Sequence, residues 1–328
     1  MQVLVSEVGP RDGLQSIGHT MPTSAKHRWI AALAASGLRE IEVGSFVHPK
    51  LLPQMADAEE VVREATRLPG LTVLALVPNL TGARRAVAAG AHKITIPVAA
   101  SQAHNLANVG MTCEQSIDAV AEICRFRDGL PSSQRPGIEV GIASAFGCTR
   151  EGAVSEDRVI EMARRLAQAG VDSVGLSDSV GFGNPVQVRR LFTRLLGELG
   201  AKAGGAHFHN TRGQGLANVV AALDAGVTTF DSSQGGIGGC PYAPGATGNI
   251  VTEDMVYLLE SMGIDTGIDH DALVAARATL CAALPGEAIY GYLPNAGVHK
   301  GFHYADASRG APASAAVIGA CPEIAEAA

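Results

Sequence analysis

Residues 71–98 read LTVLALVPNLTGARRAVAAGAHKITIPV. The run at 71–77 is apolar or β-branched throughout, which suits a strand buried on both faces. A helical period follows over 81–89, Ala89-Gly90 closes it, and a second strand-like run begins at Lys93 and extends to Val98. Glycine at that junction supplies the left-handed residue that ends a helix. Strand, helix and strand in one short stretch make a βαβ unit, whose strands lie parallel.

The unit repeats in both directions. Further strands are expected at 2–7, 39–44, 138–143, 172–177, 205–209 and 228–232, with helices near 23–36, 55–66, 114–128, 155–169, 185–198, 213–225 and 252–262. Ser36-Gly37, Ala169-Gly170 and Ala225-Gly226 repeat the closing signal, and Asn184-Pro185 opens a helix with proline where its missing N–H costs little. Eight strands alternating with eight helices predict an α/β fold of the (β/α)8 TIM-barrel class. A doubly wound sheet is the alternative, but it uses fewer strands. The barrel is expected over 1–268. Residues 269–328, with a helical segment at 270–284 and a Gly- and Pro-rich stretch after it, are expected as an extension packed on the barrel, its last ten or so residues loosely held.

The bulk numbers agree with an enzyme-sized core. The chain has 328 residues, 47% of them hydrophobic and only 17% charged, and 39 glycines. A net charge of −7 with scattered basic residues argues against nucleic-acid or membrane-surface partners. An anionic substrate would have to be met by local cations. The six cysteines show no C-x-x-C pair, so reduced, mostly buried thiols are expected. The first residues read as an immediate strand rather than a targeting segment, and no apolar stretch approaches bilayer length, so the expected location is cytoplasmic.

In a barrel of this kind the chemistry sits at the C-terminal ends of the strands. After the first strand comes Glu7-Val8-Gly9-Pro10-Arg11-Asp12-Gly13-Leu14-Gln15, which alone would be a Gly/Pro turn with a surface ion pair. The seventh strand ends His207-Phe208-His209-Asn210. Residues two apart on a strand share a face, so both imidazoles project together, and an imidazole pair at the catalytic end points to a divalent metal. After the eighth strand, residues 234–249 form a long Gly-rich segment with one cysteine, Cys240, which reads as a mobile lid bearing a reactive group. Its spacing matches neither common nucleotide fingerprint. Glu42, Thr95, Ser144 and Asp178 are the other polar strand-end residues. Of these, Glu42 and Asp178 are acids able to orient a ligand or move a proton.

Taken together, Val8-Gly-Pro-Arg-Asp-Gly-Leu-Gln15, Glu42-Val-Gly-Ser-Phe46, Pro49-Lys50, Pro53-Gln-Met55, His207-x-His209, Gly238-Gly-Cys-Pro-Tyr-Ala243, Gly248-Asn249 and Thr252-Glu-Asp254 resemble the 3-hydroxy-3-methylglutaryl-CoA lyases. The likeness keeps its order from residue 3 to about residue 268. It implies that Asp12, His207, His209 and Asn249 hold Mg2+ or Mn2+, that Arg11 faces the thioester carbonyl, and that Cys240 carries a proton. Glu42 and Asp178 match further active-site acids, and either His207 or Asp178 takes the substrate's hydroxyl proton. Gln15, Ser144, Asn210 and Arg212 stand with Arg11 as the expected substrate contacts. The implied reaction is retro-Claisen cleavage of an acyl-CoA, and the implied assembly is a homodimer or homotetramer.

The chain departs from the pattern at Ser16-Ile17-Gly18, where many of these lyases have Asn-Glu-Lys, and at Asn210 and Arg212, where Asp and Tyr are usual. Those departures bear on the acyl group, so a citramalyl-CoA or a longer-branched 3-hydroxyglutaryl-CoA is the alternative substrate. Rival activities are an acetyl-CoA-dependent Claisen synthase and a pyruvate aldolase. The contrasting reading is a non-catalytic metal-binding barrel.

Overall fold

The computed structural model describes residues 2–239, 248–310 and 312. Strands form where the apolar runs predict them: β1 Leu4–Glu7, β2 Glu40–Ser45, β3 Thr72–Leu76, β4 Lys93–Thr95, β5 Val98–Ala99, β6 Gly137–Ala143, β7 Ser173–Asp178, β8 Ala203–Phe208 and β9 Thr229–Ser232. The pairings between these strands are all parallel. β1 lies between β2 and β9, and the pairing of β4 with β6 closes the ring.

The expected single strand at 93–98 is split. Pro97 has no N–H to give to the ladder, so β4 and β5 are two pieces of one barrel position, both paired with β6. The ring therefore keeps eight positions, and the molecule is a TIM barrel.

The helices are α1 Thr23–Ala35, α2 Ala58–Ala65, α3 Leu80–Ala89, α4 Gln102–Val109, α5 Cys113–Asp128, α6 Glu156–Ala169, α7 Pro185–Leu199, α8 Gly215–Ala225, α9 Thr252–Ser261, α10 His270–Ala283 and the short α11 Leu293–Ala296. Eight of them answer the eight expected around the barrel, and α10 answers the helical segment at 270–284. The helix α4 has no counterpart in that count. It is capped by Ser101, whose hydroxyl accepts from the His104 N–H, and ends at the left-handed Gly110. Asn184 caps α7 ahead of Pro185 as the sequence predicts. Among the described residues no helix is long and apolar enough to cross a membrane.

The alternation of faces is plainest in β6. In β6, Ile138, Val140 and Ile142 are buried while Glu139 and Gly141 retain access to the lumen. Trp29, Phe192, Phe208 and Phe230 are among the fully buried side chains of the layer between sheet and helices. Burial of apolar surface, mostly aliphatic here, is the main source of stability.

The extension is tied to the loop after β9. Trp29 Nε1 of α1 donates to Gln234 Oε1 at 2.6 Å, and Gln234 Nε2 donates to the Leu273 carbonyl of α10 at 2.7 Å. Arg277 of α10 bridges Glu253 of α9 and the Tyr290 carbonyl. Polar links of this kind hold residues 270–293 beside the catalytic end. The last ten or so residues, expected to be loosely held, lie outside the described residues. A cavity of about 380 Å³ lined by Gln2, Leu4, Arg39, Thr229 and Thr266 opens at the strand starts, the opposite end from the chemistry.

Cys113, Cys124 and Cys148 are free and buried.

Candidate metal centre and active site

Residues Gly9–Gly13 form a π-helical turn at the end of β1. Its entry is crowded: a Cβ on Gly9 would lie 2.6 Å from Glu7 Oε1, so glycine is required there by close approach. Glu7 is fully buried and accepts from the N–H groups of Gly9 and Gln234 and from the Thr252 hydroxyl. Burial raises its pKa to about 8 against those hydrogen bonds. One side chain thereby joins the turn, the loop after β9 and the start of α9.

The turn projects Asp12 over the barrel mouth. Asp12 Oδ1 accepts from Arg11 Nη1 at 2.6 Å and from Gln15 Nε2 at 2.9 Å. Its Oδ2 accepts from Asn249 Nδ2 at 2.7 Å and lies 3.9 Å from His207 Nε2 and 4.0 Å from His209 Nε2. Burial opposes the Asp12 charge, but Arg11, the two imidazoles and Asn249 outweigh it and hold its pKa at about 2.

His207 and His209 come from the end of β8 and from the residue just beyond it, and their Nε2 atoms approach to 3.1 Å. His207 Nδ1 lies 3.0 Å from Asp231 Oδ2, which fixes the tautomer with the proton on Nδ1 and leaves Nε2 a bare lone pair. Asp231 follows from register. It stands opposite His207 on β9 and on the same face as Thr229, a signal present in the run at 228–232 once neighbouring strands are aligned.

Asp12, His207 and His209 form a cluster whose donor atoms lie within 4.8 Å of one another. Asn249 adds a buried Oδ1 with no hydrogen-bond partner among the described residues. A buried amide oxygen without a partner is costly, and one carboxylate, one amide and two imidazoles make a donor set suited to a divalent cation. The residues present fit a metal.

Arg11 is clamped beside this cluster. Its Nε and Nη2 donate to Glu42 Oε2 at 2.6 and 2.5 Å. Glu42 also accepts from the Thr95 hydroxyl. Burial raises the Glu42 pKa, and Arg11 and Thr95 work against that rise.

Asp178 is buried at the end of β7, with its two oxygens accepting from the N–H groups of Phe182 and Gly183. Burial raises its pKa against those bonds. Ser144, after β6, is the one non-glycine residue at positive φ (56°) among the described residues, and its buried hydroxyl has no partner among them. Strain of this kind concentrates at functional sites.

Asn210 and Arg212 turn toward loop backbone. Asn210 Oδ1 accepts from the Gly215 N–H. Arg212 Nη1 donates to the carbonyls of Val180 and Gly181, and its guanidinium carbon lies 4.7 Å from the centroid of the Phe182 ring. Cys240 lies outside the described residues.

The sequence matches the family model described as HMGL-like over residues 2–280. The chain is 40% identical over 285 residues to the mitochondrial hydroxymethylglutaryl-CoA lyase of Bos taurus, covering 86% of each protein. It is 41% identical to a 3-hydroxy-3-isohexenylglutaryl-CoA/hydroxymethylglutaryl-CoA lyase of Pseudomonas aeruginosa, covering 86% of this chain and 93% of that one. A solved HMG-CoA lyase from Acinetobacter baumannii, in complex with coenzyme A and 3-methylmalate, superposes with a TM-score of 0.86 at 42% identity, over 92% of this chain and 97% of the other. Fold, site geometry and likeness along most of both chains coincide: the protein belongs to the HMGL-like family and is a carbon–carbon lyase.

Proposed function

We propose that the protein cleaves 3-hydroxy-3-methylglutaryl-CoA to acetyl-CoA and acetoacetate by a retro-Claisen reaction supported by Mg2+ or Mn2+. The observation that carries this reading is the convergence of Asp12, His207, His209 and Asn249 beside an arginine locked in place by Glu42.

The four residues of that cluster would hold the ion. When bound, the divalent ion supplies Lewis-acid chemistry that lowers the cost of negative charge on the substrate's oxygens. Removal of the 3-hydroxyl proton lets the C2–C3 bond break, leaving a ketone at C3 and an enolate of the thioester. Arg11 is assigned to that enolate oxygen, where a pre-oriented cation stabilises charge as it forms. Asp12 and Glu42 hold the guanidinium from two sides, so little reorganisation is needed. Cys240 is assigned as the donor of the proton that the enolate carbon takes up.

Asp178 is assigned to accept the hydroxyl proton, because a His207 that keeps its Nδ1 proton on Asp231 and gives its Nε2 lone pair to the cation has no site left for it, and variants of the two read differently. Asp178→Asn should remove turnover and leave metal affinity unchanged, whereas His207→Gln should weaken both. Ser144 and Gln15 are assigned to the substrate side of the mouth. Asn210 and Arg212 act on substrate by fixing the loops around it.

Turnover of the thioester, followed as acetoacetate with Mg2+ or Mn2+ and with an EDTA control, tests the reading. Metal-dependent acetoacetate release is expected, with loss of activity in EDTA and recovery on adding the metal back. A folded, metal-loaded protein without turnover would overturn it. The assembly is proposed as a homodimer or homotetramer, and sedimentation velocity checks it.

A further inference from the structure

The interior faces of β2 and β4 carry two matched pairs, one above the other. In the lower pair, Lys93 Nζ donates to Glu40 Oε2 at 2.5 Å, with Glu139 Oε2 3.7 Å away on β6. In the upper pair, two residues further along both strands, the Thr95 hydroxyl donates to Glu42 Oε1. β3 lies between these strands in the sheet, so both contacts are made in front of it across the lumen. The ladders of β2 and β4 with β3 set the two strands in register, and that register brings Lys93 to Glu40 and Thr95 to Glu42.

Glu42 is 2% exposed and has three donors among the described residues: the Thr95 hydroxyl on one oxygen, Arg11 Nε and Nη2 on the other. The two oxygens therefore have different tasks. Thr95 holds Oε1, which prevents the carboxylate from rotating, and the stationary Oε2 presents a fixed acceptor to the guanidinium fork. Without the hydroxyl, Oε1 is a buried acceptor without a donor, and the carboxylate turns to share both oxygens with Arg11. That rotation drags the guanidinium away from Asp12 Oδ1, its other anchor at 2.6 Å.

We propose that Thr95 is a positioning residue for the lyase reaction, acting on Arg11 through Glu42. The assignment rests on the proposed role of Arg11 at the enolate oxygen. Thr95 reaches the metal ligands only through Arg11 and its bond to Asp12, so its influence falls first on the charge-stabilising arm of the site.

The test compares the full-length wild-type protein with Thr95→Val, which keeps shape and removes the hydroxyl, and Thr95→Ser, which keeps the hydroxyl. Thr95→Val should lower kcat about tenfold, the scale of a lost hydrogen bond to a charged group. KM for the thioester should stay unchanged, and the Mn2+ dissociation constant should change less than kcat, since the metal ligands feel the loss only through Arg11 and Asp12. Thr95→Ser should recover most of the rate. In an Arg11→Gln background, Thr95→Val should have no further effect, because the group it positions is gone.

A second readout needs no turnover. The Arg11 Nε–H resonance, identified by its loss in Arg11→Gln, should exchange with solvent faster in Thr95→Val than in wild type. If wild type itself does not cleave the thioester, the activity reading fails while the exchange measurement still tests the clamp. Equal exchange rates in wild type and Thr95→Val overturn the positioning role, as do effects that simply add in the double variant.

Discussion

A histidine can offer a lone pair to a cation only from the nitrogen that carries no proton, and in His207 that choice rests on Asp231, 3.0 Å from Nδ1. His209 meets the same cluster through Nε2, and Asn249 braces Asp12 through its N–H while its carbonyl oxygen has no partner among the described residues. His207 and Asp12 are thus oriented by partners outside the cluster, Asp231 for the first and Arg11 and Gln15 for the second, before any ion arrives. Asp231→Asn removes the negative acceptor without opening a cavity, since the Asp231 side chain is about a third exposed. The expected outcome is a 10- to 100-fold weaker Mn2+ affinity, roughly the range for loss of a partner behind a ligand, with the melting temperature little changed. Titration calorimetry with Mn2+ checks it, and unchanged affinity would remove Asp231 from the metal site.

The elements were legible to the extent that their signals are local. Periodicity and glycine stops place eight strands and eight barrel helices within a few residues, because each depends on its own side chains. The break at Pro97 and the helix α4 were missed: the first depends on a single absent donor, the second lies in a polar stretch whose Ser101 cap and Gly110 stop were not set against any period. The site divides in the same way. Arg11, Asp12, His207, His209 and Asn249 stand in motifs, whereas the Thr95–Glu42 contact, the Asp231–His207 pair and the Glu7 junction exist only once strands are aligned across the barrel. Gly37 shows how a local stop also serves the assembly of elements. It ends the turn after α1 at φ 104°, and a Cβ there would lie 2.4 Å from the Gly267 carbonyl oxygen. Gly37→Ala should therefore cost about 2–3 kcal/mol, combining a left-handed backbone with a backbone clash. Urea unfolding measures it, and a loss under about 0.5 kcal/mol would show that the junction between α1 and the 265–269 segment yields easily.

At the scale of the whole molecule, the barrel is closed by its ladder, while the chain after α9 is held by a few backbone hydrogen bonds, such as Asp269 to Ser36 and Tyr290 to Gly235, and by side chains, one of which makes that attachment sensitive to pH. His270, at the start of α10, is 1% exposed and enclosed by Tyr257, Phe302 and Tyr304. Neither ring nitrogen has a partner among the described residues. The charges around it are Glu260, Asp269 and Asp271 on one side of the balance and Arg309 on the other. Burial prevails over the acids and pushes its pKa down to about 4. Between about pH 6.5 and pH 4 the unfolded chain therefore binds a proton that the folded chain refuses, so this contribution to stability is complete above pH 6.5 and is lost as pH falls. Glu7, raised to about 8, and Glu139, raised to about 7 by burial, act with the opposite sign, so their contributions are complete below the ordinary carboxylate range and fade as pH rises. Comparing wild type with His270→Phe isolates the histidine, because the acids cancel in the difference. The variant should gain on wild type as the solution is acidified, by about 2 kcal/mol between neutral pH and pH 5 from a displacement of about 1.5 pH units below the unfolded pKa. Denaturant melts at a series of pH values give that difference directly. A constant offset from pH 8 to pH 5 would mean that the folded protein accepts the proton on His270, and that the aromatic enclosure opens to water without cost.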